Sequence, residues 1–71
     1  MDYTVIYEET PTGFSAYLPD LPGCVAAGAS RPEVERLIRS AVAMHLEAMR
    51  EGGEPLPSPS TSAGTVSIAR R

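Results

Sequence analysis

The sequence predicts an α+β fold in which three short strands, one helix and a last strand follow one another in the order β-β-β-α-β. Two observations carry this prediction: apolar and polar residues alternate before residue 28, and an apolar stripe with helical spacing spans residues 30–51. A chain of 71 residues fits one domain. We therefore predict a single domain over residues 1–71, a small sheet with one helix packed on one face.

The first two strands are predicted to form a hairpin. Residues 3–8 and 14–18 alternate in polarity and are rich in β-branched and aromatic side chains, which favour strands. Between them, "ETPTG" at 9–13 has the composition of a turn, in which Pro11 sets one φ angle and Gly13 can take a positive one. Consecutive strands joined by such a short connection pair in the antiparallel sense.

The segment "PDLPGC" at 19–24 is predicted to be a rigid corner between the second and third strands. Its two prolines have no N–H for a sheet, so they stop strand pairing on both sides of Leu21. The Pro-Gly pair at 22–23 fits the centre of a type II turn. We expect the corner to place Leu21 at the surface and to lead into a strand over 24–28. The residues assigned to this structural corner are Pro19, Pro22, Gly23 and Cys24.

The helix is the strongest structural signal in the chain. Ser30 and Glu33 have the spacing of an N-terminal capping box, and the glycines at 52–53 supply a C-terminal stop. At 100° per residue, one side of this helix is apolar and is predicted to face the sheet, with Leu46 near its border. The residues on that side are Val34, Leu37, Ile38, Ala41, Val42, His45, Ala48 and Met49.

The remainder of the chain predicts a loop and a last strand. Residues 54–64 are rich in proline and serine, which is typical of a polar loop. Residues 65–69, "TVSIA", show a short apolar alternation. Because the helix carries the chain back across the sheet, we expect this strand to lie parallel to the first, through a right-handed crossover.

Charge and hydropathy exclude several classes of function. The net charge is −3, and all six basic residues are arginine, so the basic surface of a nucleic-acid-binding protein is missing. The N-terminus has neither the positive region nor the apolar core of a signal peptide. No apolar run approaches the ~18 residues of a membrane span. We therefore predict a cytoplasmic protein with no direct nucleic acid or membrane partner.

The sequence shows no convincing constellation for catalysis or metal binding. One cysteine and one histidine do not make a zinc site of about four ligands, so neither metal nor cofactor is expected. Cys24 has no neighbouring base and is predicted to be a buried structural residue. His45 lies within the apolar stripe, either as a packing histidine or as an acid–base group in a cleft. The predicted function is accordingly non-enzymatic.

A domain of this size has a marginal core, and a single helix covers one face of a sheet, so the chain is expected to bind a partner. An acidic surface suits a basic protein partner, and tyrosine is favoured at protein interfaces. A homo-oligomer is also expected, since a second copy buries the same surface. The residues predicted for the partner or oligomer interface are Tyr3, Tyr7, Tyr17, Asp20, Leu21 and Pro22.

Three segments resemble the HicB family, which contains the antitoxins of HicA–HicB toxin–antitoxin pairs: "YTV" near the start, "AYLPDLPGCV" at 16–25 and "AVAMHLEAMREGGEPLPSPS" at 41–60. The chain is similar to the short, stand-alone HicB-like proteins of thermophilic bacteria. The resemblance implies a partial ribonuclease-H-like form of the β-β-β-α-β fold, self-association, and binding and neutralisation of a HicA-type toxin that cleaves messenger RNA. The chain departs from the family in one respect: many antitoxins carry a C-terminal helix-turn-helix or ribbon-helix-helix domain for operator DNA, and we expect no such domain here because the sequence ends before it.

Two alternatives remain open at this point. The first is an orphan, self-associating HicB-like domain that has no toxin. The second is a vestigial ribonuclease-like enzyme that uses His45 or converging carboxylates. A HicA-like gene nearby favours the antitoxin, its absence favours the orphan domain, and RNA cleavage favours the enzyme.

Overall fold

The computed structural model describes residues 1–70 and contains three strands followed by one helix. The strands form one antiparallel sheet with the order β1-β2-β3, and the helix packs on one of its faces. This arrangement confirms the predicted α+β class and the order of its first four elements. The elements are β1 (Ile6–Thr10), β2 (Gly13–Tyr17), β3 (Val25–Gly28) and α1 (Arg31–Glu51).

The β1–β2 hairpin is tighter than the sequence suggests, with only Pro11 and Thr12 between the paired ends of the two strands. Gly13 does not use its freedom to take a positive φ angle. Instead, a Cβ atom at this position would collide with the carbonyl oxygen of Gly28. Gly13 is therefore required because the end of β3 passes close to the backbone of β2.

The corner between β2 and β3 consists of two successive turns around Leu21. The N–H of Leu21 donates to the carbonyl of Leu18 at 3.1 Å, and the N–H of Cys24 donates to the carbonyl of Leu21 at 3.1 Å. The second turn has Pro22 in its first central position and Gly23 at φ +91° in the next, which is the predicted type II geometry. The Leu18 N–H also donates to the Cys24 carbonyl at 3.3 Å, so the corner closes as a hairpin.

The predicted surface position of Leu21 is wrong, because its side chain is 0% exposed. The two turns reverse the chain on either side of this residue, which directs its side chain into the core rather than to solvent. The core combines the end of β2, the corner and the first half of the helix. Its buried members are Ala16, Leu18, Leu21, Cys24, Val34 and Ile38.

The helix begins with the predicted cap. The Ser30 hydroxyl accepts the N–H of Glu33 at 3.3 Å, while a Glu33 carboxylate oxygen accepts the N–H of Ala29 at 2.8 Å. The carboxylate thus reaches one residue further back than in the standard capping box, where it binds the N–H of the capping residue itself. At the other end, the N–H of Gly52 donates to the carbonyl of Ala48 at 3.0 Å.

The buried stripe of the helix follows residues spaced by four, at positions 34, 38, 42 and 46. Leu46, predicted at the border of the stripe, packs against the core. Leu37 and Ala48, predicted to face the sheet, are exposed. The helix axis therefore lies across the sheet so that an i, i+4 row, rather than the centre of the sequence-defined stripe, makes the contact.

The predicted last strand over 65–69 is wrong, because residues 52–70 contain no helix or strand after the turn at the helix end. The N–H groups of Ser60 and Thr61 donate to the Asp20 carboxylate, which holds the segment there, and residues 62–70 are exposed. Within residues 1–70 no helix is both long and apolar enough to span a bilayer.

Candidate interaction surface

The face of the sheet opposite the helix is uncovered and carries a row of apolar side chains. The cross-strand register aligns Ile6 with Tyr17 and Tyr17 with Val25, one residue from each strand. Residues directly opposite one another in an antiparallel sheet point to the same face. The adjacent row, with Tyr7 and the buried Ala16, packs towards the helix. Ile6, Tyr17 and Val25 therefore point to the opposite side.

We call this surface the open face; its members are Ile6, Glu8, Ser15, Tyr17, Val25 and Ala27. Val25 is 65% exposed and Tyr17 is 39% exposed. An apolar row that crosses all three strands and stays accessible to solvent marks a candidate site for a protein partner. Glu8 gives the open face a negative charge beside this row.

The three tyrosines predicted for an interface do not share one surface. Tyr17 lies on the open face, whereas Tyr3 and Tyr7 pack against the core on the helix side. The Arg31 guanidinium lies 3.7 Å from the centroid of the Tyr7 ring, a cation–π contact. The Tyr3 hydroxyl donates to the carbonyl of Pro57 at 2.6 Å. Tyr3 and Tyr7 therefore have intramolecular partners, and their part in an interface stays a prediction.

Asp20 forms the most extensive polar contact in the described chain, with Ser60 and Thr61. One carboxylate oxygen accepts the N–H groups of Ser60 and Thr61 at 3.0 and 3.1 Å, and the other accepts their hydroxyls at 3.0 and 2.9 Å. These bonds, led by the one from the Thr61 N–H, hold the pKa of Asp20 below its ordinary value.

The arrangement of Asp20, Ser60 and Thr61 will be called the Asp20 latch. The hydroxyl of Thr4 extends it by donating to the carbonyl of Thr61 at 2.6 Å. The latch thereby ties the C-terminal segment to both the corner and the N-terminus. No sequence signal pointed to this contact, because its partners lie 40 residues apart and each residue type is common in loops.

Cys24 is buried as predicted, and its structural role stays a prediction. Its thiol lies 3.8 Å from the carbonyl oxygen of Ala41 on the helix, and burial raises the pKa of the Cys24 thiol above its ordinary value. A nucleophilic cysteine needs the opposite shift. His45 is half-buried on the helix, and within residues 1–70 no three potential ligands cluster as a metal site. Pro19 and Pro22 are exposed at the corner.

Comparison with known proteins decides the family. The model of the HicB-like antitoxins of bacterial toxin–antitoxin systems matches residues 3–68. The chain belongs to the HicB-like antitoxin family. This result confirms the resemblance that the corner and the helix end suggested.

Solved structures agree with this assignment. The chain is similar to a HicA3 and HicB3 toxin–antitoxin complex, with 37% identity and a TM-score of 0.69 over 84% of this chain and 70% of the other. The crystal structure of the antitoxin HicB3 matches with the same identity, TM-score and coverage of this chain, but over 44% of its own length.

Among curated proteins, this HicB-like chain is similar to an uncharacterized 14.9 kDa protein from the rep-hol intergenic region of Haemophilus phage HP1 (strain HP1c1). The two are 35% identical over 57 residues, which is 80% of this chain and 43% of the phage protein. The chain thus spans less than half the length of this curated relative.

Proposed function

We propose that this HicB-like protein is an antitoxin that binds a HicA-type, mRNA-cleaving toxin and neutralises it by covering its active surface. The observation that carries the proposal is the match of residues 3–68 to the antitoxin family. The similarity to a HicB3 chain determined together with HicA3 supports the choice of partner. The proposed mode of action is binding rather than catalysis, and the proposed compartment is the cytoplasm.

Charge supports a toxin of this kind as partner. An enzyme that acts on RNA needs a positively charged surface to hold the phosphate backbone. This chain carries a net charge of −3, and Glu8 lies beside the apolar row of the open face. A negative surface of this kind complements a basic one, increases the rate of encounter and competes with RNA.

We place the toxin contact on the open face, with Tyr17 and Val25 at its centre. Both side chains are exposed and lie side by side across β2 and β3. Aromatic anchors surrounded by apolar neighbours dominate many protein interfaces. Of the other residues predicted for the interface, Pro22 is exposed, Asp20 is engaged by the latch and Leu21 supports the corner from the core.

The experiment is co-expression with a HicA-type toxin, read by cell growth and by co-purification of the two proteins. The wild-type chain is expected to restore growth and to retain the toxin. The double variant Tyr17→Asp, Val25→Asp is expected to lose both, because two carboxylates would then be buried without partners. Leu37→Asp, Met44→Asp, which changes two exposed apolar residues on the helix, is the matched control and is expected to behave as wild type.

Three results would contradict parts of the proposal. Failure of the wild-type chain to bind or neutralise any HicA-type toxin would favour the orphan domain. Equal toxin binding by wild type and by the open-face variant would show that the toxin contacts a different surface of the molecule. Cleavage of RNA by the purified chain, abolished by His45→Ala, would favour the ribonuclease-like enzyme.

We also propose that the chain self-associates. The sheet has two free edges, β1 and β3, and one uncovered face. Free edges present unpaired N–H and C=O groups that accept a strand from another chain.

A further inference from the structure

We infer that two copies of this protein exchange their C-terminal segments, with residues 65–69 of each adding as a strand to the β1 edge of the other. The inference deepens the self-association proposed above and rests on it. It joins two incomplete features of the same chain: a segment whose apolar side chains are exposed, and an open sheet edge that lies beside an apolar groove.

The segment has the pattern of a strand without the pairing of one. Val66 and Ile68 are 86% and 81% exposed, and they alternate with the polar or small residues Thr65, Ser67 and Ala69. A strand that places alternate side chains in a groove combines backbone hydrogen bonds with side-chain packing. While they are exposed to water, Val66 and Ile68 have neither these backbone hydrogen bonds nor this packing.

The receiving site is a groove of about 470 Å³ between the N-terminal side of the sheet and the helix. Its apolar lining includes Tyr3, Val5, Leu18, Val42 and Leu46. The groove lies on the β1 side, and β1 is an edge strand whose outer N–H and C=O groups have no partner strand. Apolar pockets beside a free edge are what strand addition requires.

Exposure within one chain and charge together favour a second copy as the occupant. Within a single chain Val66 and Ile68 stay exposed and do not pair with their own β1. Residues 62–71 contain two arginines and no acid, so they carry +2, while the other 61 residues carry four arginines and nine acids, a net charge of −5. The charged side chains at the groove are two acids, Asp2 and Glu35, and one base, Arg39. The basic segment is therefore attracted to the acidic body of a neighbouring copy, whose groove it can reach.

The Asp20 latch determines where the exchanged segment begins. Ser60 and Thr61 are bound to the corner, so the segment starts from a fixed point on its own copy. Residues 62–64 then form a short link, and Gly64 has no neighbouring atom near its Cβ position. Because every copy offers one segment and one edge, reciprocal exchange gives a closed two-fold dimer.

The first experiment measures the mass of the full-length chain in solution by light scattering at micromolar concentration. Wild type is expected to be a dimer, and Val66→Asn, Ile68→Asn is expected to be a monomer. Thr65→Asn, Ser67→Asn is the matched control, since it places the same polar side chains on the opposite side of the segment and leaves its charge unchanged, and it is expected to remain dimeric. A monomeric wild type, or equal masses for all three proteins, would overturn the inference.

The second experiment separates exchange from pairing within one chain. One protein carries Val5→Cys and the other carries Val66→Cys, both in a Cys24→Ala background, and the mixture is oxidised. Exchange predicts a disulfide between the two proteins. If both changes placed in one chain give a cross-linked monomer instead, the segment pairs with its own β1 and the inference is wrong.

Toxin binding tests the two proposals independently. The Val66→Asn, Ile68→Asn variant is expected to retain the toxin, because the open face is unchanged in it. Loss of the dimer with toxin binding retained supports both proposals. A dimer that persists in this variant overturns the exchange and leaves the antitoxin function standing.

Discussion

The two faces of the sheet have similar side chains and opposite environments. On the helix side, Ala16 and Leu18 lie in a core closed by Val34 and Ile38. On the open face, Ile6, Tyr17 and Val25 form an equally apolar row that no element of the described chain covers. The difference shows that the position of the single helix, rather than the apolar content of the strands, decides which face is the core and which is available to a partner.

The largest expected effect comes from shortening a core side chain. Leu21→Ala leaves a cavity at a residue that is 0% exposed and should lower the free energy of unfolding by about 2–5 kcal/mol. Val25→Ala on the open face removes side-chain atoms that are mostly in water, so a change within about 0.5 kcal/mol is expected. Urea unfolding at one protein concentration measures both.

A domain of this size has little stability to lose, so Leu21→Ala is at risk of being unfolded from the start. Ile38→Val is the milder test of the same core and should cost about 0.5–1.5 kcal/mol. Equal effects of Leu21→Ala and Val25→Ala would mean that the corner does not close the core.

The second effect concerns the corner that carries the chain from β2 to β3. Gly23 has φ +91°, a backbone conformation that is strained for any residue with a Cβ atom. Such a residue should therefore lower the free energy of unfolding by about 1–2 kcal/mol. Gly23→Ala is therefore expected to lower the urea midpoint, while Gly64→Ala, in open space, should leave it unchanged. A neutral Gly23→Ala would show that the type II turn tolerates another geometry.

Features of this fold that depend on neighbouring residues could be predicted from the sequence, whereas features that depend on contacts between distant residues could not. The type II turn and the Ser30 cap were predicted from a few consecutive residues, because they depend on local backbone geometry. The burial of Leu21, by contrast, depends on two turns acting together and on the helix above them. The two prolines mark where the strands end, but they do not show whether the Leu21 side chain between them points into the core or to solvent.

The candidate site was predicted only in part for the same reason. Tyr17 was assigned to an interface and lies on the open face, whereas Tyr3 and Tyr7 pack on the helix side. Val25, the most exposed member of the apolar row, was missed because it reads as part of a buried strand. Its exposure follows from the register between β2 and β3 and from the position of the helix. The local sequence of β3 determines neither of them.

The third effect compares two neighbouring residues of β3 that point to opposite faces. Gly28 pairs with Phe14 on the helix side, and a Cβ atom there would collide with the Glu33 carboxylate. Gly28→Ala should displace this carboxylate from the Ala29 N–H and cost about 1 kcal/mol, the usual value of one hydrogen bond. Ala27→Ser, on the open face, should stay within about 0.5 kcal/mol in the same urea titration.

The smallest effect tests the Asp20 latch, which holds the C-terminal segment against the end of the sheet. The carboxylate form accepts the four hydrogen bonds, so the pKa of Asp20 is lower in the folded state than its ordinary value of 3.8. A group whose folded pKa is depressed stabilises the protein above its unfolded pKa and loses that contribution as the pH falls through the folded pKa. Asp20→Asn should therefore lower Tm slightly at pH 7, and the difference from wild type should shrink as the pH falls below about 4.

Glu54→Gln is the control for this pH dependence, since Glu54 is exposed and its carboxylate accepts no hydrogen bond within residues 1–70. Its Tm is expected to follow that of wild type at every pH. The latch is also expected to protect the N–H groups of Ser60 and Thr61 from hydrogen exchange, and Asp20→Asn should accelerate both. If these amides exchange at the same rate with and without the carboxylate, the segment is not held by Asp20, and the fixed starting point of the exchanged strand is lost with it.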